Sequence, residues 1–481
     1  MVPGGVLARC RGVRARTAGS RTGSVQAVGA PAAGGGAPNG CLATRRSALA
    51  PRQPRNLAAD LPRRRGSGRH RAASVRRLGI LWVKVGGLWP VHTGGRLRSF
   101  HIVSELARDH RVTLLTTHGL DDNPDGLRGQ LPQCERVTSF LYAAPKQSSA
   151  GFARAVVGSW LSPLPVDLWK WQVPAVREEV RRMVSARQVD LCVADFLYTT
   201  PNVPLGGSVP VIFFDHNVEH VIWKRLSRVE ARPWRRALLE AEWRKMRRAE
   251  ARACARASLT IAVSEVDRTL LVANAPGAAI CSIPTGVDTA FFVPNGSREA
   301  PASLVFIGSM DWYPNEDAIL HFIRATLPGI RRQVPEASLT VVGRNPRPQL
   351  RAAAARAGVR VTGTVEDVRP YVEKAAVVVV PLRVGGGTRL KIFEALAMGK
   401  AVVATKVGAE GLPLVAGTHY VRADTPDAFA RAVASLLEDP RRRTALGAAG
   451  RRLVEDKFSW PQVAREFATR CEQVVSAGQE R

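Results

Sequence analysis

The chain has 481 residues, 45% hydrophobic and 23% charged, which suits a soluble globular protein with two or three domains. These values exclude a mostly disordered chain and one built of membrane-spanning helices. The net charge of +30 is unusual, but residues 1–77 hold 16 arginines against the single acid Asp60, so half of the excess sits in the first sixth of the chain.

The seven cysteines (10, 41, 134, 192, 254, 281 and 471) are scattered, with no CxxC pair and no nearby histidine cluster. That spacing argues against a disulfide framework or a structural zinc site and points to reduced thiols in a cytoplasm. No apolar run approaches the length of a transmembrane helix, and Arg9, Arg11, Arg14 and Arg16 interrupt any secretory core. Contact with the inner face of a membrane would therefore be peripheral.

Residues 1–75 are rich in Arg, Ala, Gly, Pro and Ser, with no apolar period. Such a segment buries too little surface to offset its ordering entropy and is predicted to be disordered. Its arginines have no aromatic residue between them on which bases could stack. It reads as a solvated extension, or as upstream sequence, and no specific nucleic-acid partner is expected.

From Leu78 short apolar runs alternate with longer helical stretches. Strands are predicted at Leu78–Val83, Val112–Thr116, Val189–Asp195, Val211–Asp215 and Leu259–Val263. After a linker around Pro284–Pro301 the alternation restarts at Leu304–Gly308, Leu339–Gly343, Val359–Thr362, Ala376–Pro381 and Ala401–Thr405. Two such alternations imply an α/β chain of two doubly wound, Rossmann-like domains, with ligands in the cleft outside the carboxyl ends of the strands. The expected division is 76–290, 291–457 and a terminal amphipathic helix in 458–481 that packs back toward the first domain.

The segment Pro381–Lys400 carries the strongest chemistry. Gly385, Gly386 and Gly387 follow a buried strand and run into a helix. Backbone N–H groups at Gly387, Thr388 and Arg389 are expected to head that helix, where unpaired donors and the dipole attract phosphate. Arg383, Arg389 and Lys391 add charge suited to a diphosphate. Glu394 lies six residues beyond Thr388, about 9 Å along the axis, within reach of ribose hydroxyls.

These residues, with Phe306-Ile-Gly-Ser-Met-Asp-Trp-Tyr-Pro-Asn-Glu-Asp317 and Val407-Gly-Ala-Glu-Gly411, resemble the family 4 glycosyltransferases of the GT-B fold. The first half is similar more loosely, through Gly94-Gly-Arg-Leu-Arg98, Asp215-His-Asn-Val-Glu219 and Pro284-Thr-Gly-Val-Asp288. The resemblance implies a nucleotide-sugar donor bound by the second domain, near Gly308, Gly386, Gly387, Thr388 and Glu394. It also implies retention of anomeric configuration, no obligatory metal and no cofactor beyond the donor, with a sugar or a lipid-linked molecule as acceptor. Glu394 matches the family's second glutamate, which holds the ribose. The first would stand at position 386, where this chain has Gly386, and the basic pair usual after the first strand of that domain is missing from Gly308–Asn315. That role is assigned to Arg389 and Lys391, with Arg383 as a weaker candidate.

In the first half, Gly94 and Gly95 precede a helix predicted at Arg96–Arg108. That helix start would face the donor phosphate, face the acceptor, or serve as a plain loop. His216, at the end of its strand, is the candidate catalytic or sugar-contacting group, and Asp195 is a second polar candidate. The basic stretch Glu219–Arg256, with Trp223, Trp234 and Trp243, reads as a solvated helix carrying ion pairs rather than as a membrane-binding face. Loops such as Gly151–Val173 are expected to decide the acceptor. The activity expected is sugar transfer in polysaccharide or glycolipid assembly. The rivals are a sugar-nucleotide epimerase of the same fold and a non-enzymatic basic scaffold or nucleic-acid-binding protein.

Overall fold

The computed structural model describes residues 77–479 except 92, 121, 146–148 and 385–388. Residues 1–76, on which the expectation of a disordered extension falls, lie outside the described residues, as does the triple glycine.

The first half runs β1 (Gly79–Lys84), α1 (Gly94–Asp109), β2 (Arg111–His118), α2 (Pro124–Gln130), β3 (Arg136–Leu141), α3 (Ala150–Trp160), α4 (Val166–Lys170), α5 (Pro174–Ser185), β4 (Leu191–Asp195), β5 (Val211–Asp215), α6 (Glu219–Val229), α7 (Pro233–Arg256), β6 (Leu259–Ala262), α8 (Glu265–Asn274) and β7 (Ile280–Ser282). The second runs β8 (Ser303–Ile307), α9 (Tyr313–His321), α10 (Leu327–Gln333), β9 (Ser338–Val342), α11 (Pro348–Arg356), β10 (Arg360–Val361), α12 (Arg369–Lys374), β11 (Val377–Val380), α13 (Leu390–Ala397), β12 (Ala401–Ala404), β13 (Val421–Arg422), α14 (Pro426–Glu438), α15 (Pro440–Lys457) and α16 (Trp460–Gln479).

All strands are parallel. The first sheet has the order β3-β2-β1-β4-β5-β6-β7 and the second β10-β9-β8-β11-β12-β13. Central strands such as β1, β4, β5, β11 and β12 are buried along their whole length, because helices cover both faces of a doubly wound sheet. Strand order reverses between β1 and β4 and again between β8 and β11, and such reversals open a crevice at the carboxyl ends.

Helix α16 follows α15 of the second half but packs into the first core. Its Phe467 lies 5.4 Å from Trp82 and 5.2 Å from Phe214, ring centre to ring centre. Trp460 sits against Gly286, where a side chain would strike the indole at 2.4 Å. The chain therefore crosses between the halves twice, and the crossings are bonded to each other: the Val287 N–H donates to the Phe458 carbonyl at 2.8 Å.

Candidate active site

In the second half the site grows from the end of β8 and the start of α13. Arg389 is the residue before the helix and Leu390 its first turn. The helix thus begins later than the glycine run suggested, and its leading N–H groups are those of Leu390 and Lys391. Glu394 stands four residues into the helix, about 6 Å along its axis.

Lys391 turns back toward β8, where its ammonium donates to Asn315 Oδ1 at 2.9 Å and lies 4.3 Å from the centre of the Phe306 ring. Gly308 makes room for it: a Cβ there would stand 2.8 Å from the ammonium and 2.7 Å from Asn315. Burial, followed by the neighbouring Arg389 charge, pushes the Lys391 pKa down to about 7. Burial also raises Glu394 to about 7. Its carboxylate has no hydrogen bond or ion pair among the described residues. Arg389 is buried, and its Nε donates to the Val407 carbonyl at 3.3 Å.

At the switch point of the first sheet, five buried polar side chains form one network with the Trp82 indole. Asp195, ending β4, accepts from Trp82 Nε1 at 2.8 Å and from Lys84 Nζ at 3.2 Å. Its Oδ1 also lies 2.8 Å from His216 Nε2. On the other side of the imidazole, Arg98 NH1 stands 2.9 Å from Nδ1, and Arg98 Nε donates to Thr285 Oγ1 at 3.2 Å. A guanidinium only donates, so Nδ1 is the acceptor and the ring proton sits on Nε2, facing Asp195. Burial lowers His216 to about 3 and Lys84 to about 8. Burial opposes ionisation of Asp195, yet Lys84 and His216 hold its carboxyl well below the usual range.

The two halves of the site meet at helix starts. Gly94 and Gly95 are the first two residues of α1, capped by the Thr93 side chain, rather than a loop before it. A Cβ on Gly94 would lie 3.3 Å from Leu390 Cδ1, so the first turns of α1 and α13 face each other. Gly95 is bare because Phe196 fills the space, at 2.5 Å from where its Cβ would be. Phe196 stacks on His216 with ring centres 3.9 Å apart and takes the rare positive φ of 76°. A second contact joins the Gly411 turn to Ser264, which caps α8.

Of the residues singled out in the sequence, Gly94, Gly95, Asp195 and His216 are gathered on one side, and Gly308, Arg389, Lys391 and Glu394 on the other. Gly386, Gly387 and Thr388 lie outside the described residues. Arg383 turns away to grip Asp317 through two bonds of 2.8 and 3.1 Å. The one lone pair of the neutral His216 ring, on Nδ1, faces the Arg98 guanidinium at 2.9 Å, which leaves none free to take a proton. The loop expected over Gly151–Val173 instead holds the helices α3 and α4 joined by a short turn, and the basic stretch is two helices, α6 and α7. Lys84, Arg98 and Asn315 belong to the site but were not singled out. The available signals were a cation closing an otherwise apolar strand, and an arginine one helical turn beyond a Gly-Gly start. No group of three or more His, Cys, Asp or Glu among the described residues is placed to hold a metal ion.

Residues 94–291 match the family model described as Glycosyltransferase Family 4, and residues 301–439 that described as Glycosyl transferases group 1. A GDP-mannose-dependent alpha-(1-6)-phosphatidylinositol monomannoside mannosyltransferase of Mycolicibacterium smegmatis is 32% identical over 211 residues, 38% of this chain and 54% of that protein. The protein of the same description from Mycobacterium tuberculosis is 26% identical over 331 residues, 61% of this chain and 79% of its own length. The chain thus spans about half of the first relative and more of the second. Among solved structures, Anabaena HepE in complex with UDP superposes with a TM-score of 0.59 at 15% identity, covering 82% of this chain and all of that one.

Proposed function

The chain belongs to the family 4 glycosyltransferases of the GT-B fold, and we propose that it moves a sugar from a nucleoside-diphosphate sugar to an acceptor hydroxyl with retention of anomeric configuration. The observation that carries this reading is the meeting of two helix N-termini, α1 at Gly94 and α13 at Leu390, beside the buried Arg389 and the half-buried Lys391. Two positive helix ends and two cations match the charge of a pyrophosphate. Glu394, at about 6 Å along α13, accepts from the ribose hydroxyls.

In the reaction, the bond between the anomeric carbon and the diphosphate oxygen breaks while the acceptor oxygen bonds to the same face of the sugar. The acceptor proton passes to the departing phosphate oxygen. Lys391, Arg389 and the helix starts hold the charge that develops on the leaving group. His216, held neutral between Asp195 and Arg98, acts as no base; it props the α1 start through Phe196. On this reading a divalent metal is dispensable, because side chains and backbone balance the diphosphate.

GDP-mannose and phosphatidylinositol monomannoside, for which the relatives are named, are the first donor and acceptor to assay; UDP-glucose is the second donor. Isothermal titration of the protein with each donor, with and without EDTA, tests the reading. A Glu394→Ala chain that binds the preferred donor as tightly as the parent would refute it, as would binding that vanishes in EDTA. Release of nucleoside diphosphate that requires acceptor separates transfer from epimerisation.

A further inference from the structure

The loop from Gly308 to Asn315, between β8 and α9, contains no Lys or Arg, yet the Lys391 ammonium is delivered to it from α13. The loop is a firm support. The Gly308 N–H donates to the Val342 carbonyl at 3.0 Å and the Met310 N–H to the Arg344 carbonyl at 2.9 Å. Gly343 lets the strands close on each other, since a Cβ there would fall 1.8 Å from the Gly308 carbonyl oxygen. Asn315, the third residue of α9, is buried on this support. Its amide nitrogen donates to the Ser309 carbonyl at 2.8 Å. With that end of the amide committed, the oxygen faces α13 and accepts from Lys391.

This partner is neutral. The two acids that follow it on α9 are engaged elsewhere, Glu316 with Arg347 at 3.0 Å and Asp317 with Arg383 at 2.8 Å. The charges that act on Lys391 are those of Arg389 and Glu394, from the start of α13. The aromatic ring of Phe306 on β8 completes its surroundings, and Lys391 forms no ion pair among the described residues. An amide oxygen orients an ammonium and leaves its charge in force, whereas a carboxylate in the same place would orient it and cancel the charge.

We propose that Asn315 is a positioning residue for donor binding: its amide holds the Lys391 ammonium, uncompensated, at the β8 loop to meet a phosphate of the nucleoside diphosphate. The identity of that ligand rests on the sugar-transfer reading above. Asn315 acts through Lys391, and the pair together supplies the charge that the loop itself lacks. The neutrality of the side chain is the specific feature, because an acid at this position would compete with the phosphate for the same ammonium.

The test is calorimetric titration of the full chain with GDP and with UDP from about pH 6 to about pH 9, for the parent, Asn315→Leu and Asn315→Asp, with the thermal midpoint of each recorded. Asn315→Leu removes the acceptor, so affinity for the nucleotide that the parent binds falls about tenfold and the alkaline loss of binding moves to lower pH. Asn315→Asp moves the alkaline loss to higher pH, since a carboxylate strengthens the hold on the proton, yet it binds more weakly than the parent at the acid end of the range. A role confined to bracing the loop would weaken binding and leave the alkaline midpoint unmoved in both variants, and that result would overturn the proposal. Parent affinity in a folded Asn315→Leu chain, or tighter binding by Asn315→Asp, would overturn it too. Should Asn315→Leu not fold, the near-isosteric Asn315→Asp carries the comparison by its pH profile. A parent that binds neither nucleotide would overturn the sugar-transfer reading and this proposal with it, whereas the other outcomes strike the proposal alone.

Discussion

Lys391 and Glu394 stand one turn apart at the start of α13, and the ammonium bonds to Asn315 at 2.9 Å rather than to the carboxylate. Burial pushes both toward neutrality, each to about 7. A diphosphate needs the lysine charged and a ribose is best held by an ionised glutamate, so donor affinity is expected to peak near neutral pH. It falls at higher pH as Lys391 loses its proton, by up to about tenfold per unit, and at lower pH as Glu394 gains one. Titration calorimetry across pH checks this. Glu394→Gln should flatten the acid side only.

The same burial makes Lys391 a destabilising residue. Its folded pKa of about 7 lies below the ordinary 10.5, so the unfolded chain binds the proton more tightly between those values and the penalty is fully present below pH 7. Lys391→Met is expected to raise the thermal midpoint by roughly 1–3 °C at pH 6. The gain should shrink steadily as pH rises toward 10.5, while donor binding is lost throughout. A midpoint unchanged at pH 6 would contradict the assignment of burial as the cause.

In the first half, Asp195 offsets the buried Lys84 charge. Asp195→Asn removes the counter-charge and should cost about 3–5 kcal/mol in chemical denaturation, the usual penalty of stranding one partner of a buried pair. Lys84→Met in the same background should recover much of that loss.

His216 is held neutral, with a folded pKa of about 3 against an ordinary 6.5. The unfolded chain therefore takes up the proton first, and stability falls as pH drops from 6.5 toward 3. Nitrogen-15 NMR of labelled imidazole should show a single tautomer, protonated at Nε2, through pH 5. Arg98→Ala should free Nδ1 and raise the titration point.

Gly95 has no space for even a methyl group, since Phe196 stands 2.5 Å from where it would be. Gly95→Ala is expected to cost about 1–3 kcal/mol and displace Phe196 from the His216 ring. Gly94→Ala meets only Leu390 Cδ1 at 3.3 Å. It should leave the melting curve nearly unchanged and weaken donor binding, which calorimetry of the two variants separates.

The central strands were plain in the sequence because parallel strands buried on both faces read as unbroken apolar runs: Leu191–Asp195 and Val377–Val380 show this. Strand β3, Arg136–Leu141, mixes charged, hydroxyl and apolar residues because it is a half-exposed edge, and it went unmarked, as did the three-residue edge β7. The cations near Glu394 were legible from their spacing along one helix. Lys84 and Arg98 were not, because their partners Asp195 and His216 lie 111 and 118 residues away. Arg383 carried a charge at the right distance along the chain, but Asp317 on the neighbouring helix takes it.

The paired crossings at Val287 and Phe458–Trp460, joined by bonds of 2.8 and 3.3 Å, behave as a door hung on two pins. A single tether would let the lobes swivel and twist freely; two strands lashed side by side leave chiefly a swing about the line between them. Because Thr285, two residues before Val287, is held by Arg98, the guanidinium that also lies against His216, the crossing is fastened to the buried polar network of the first half.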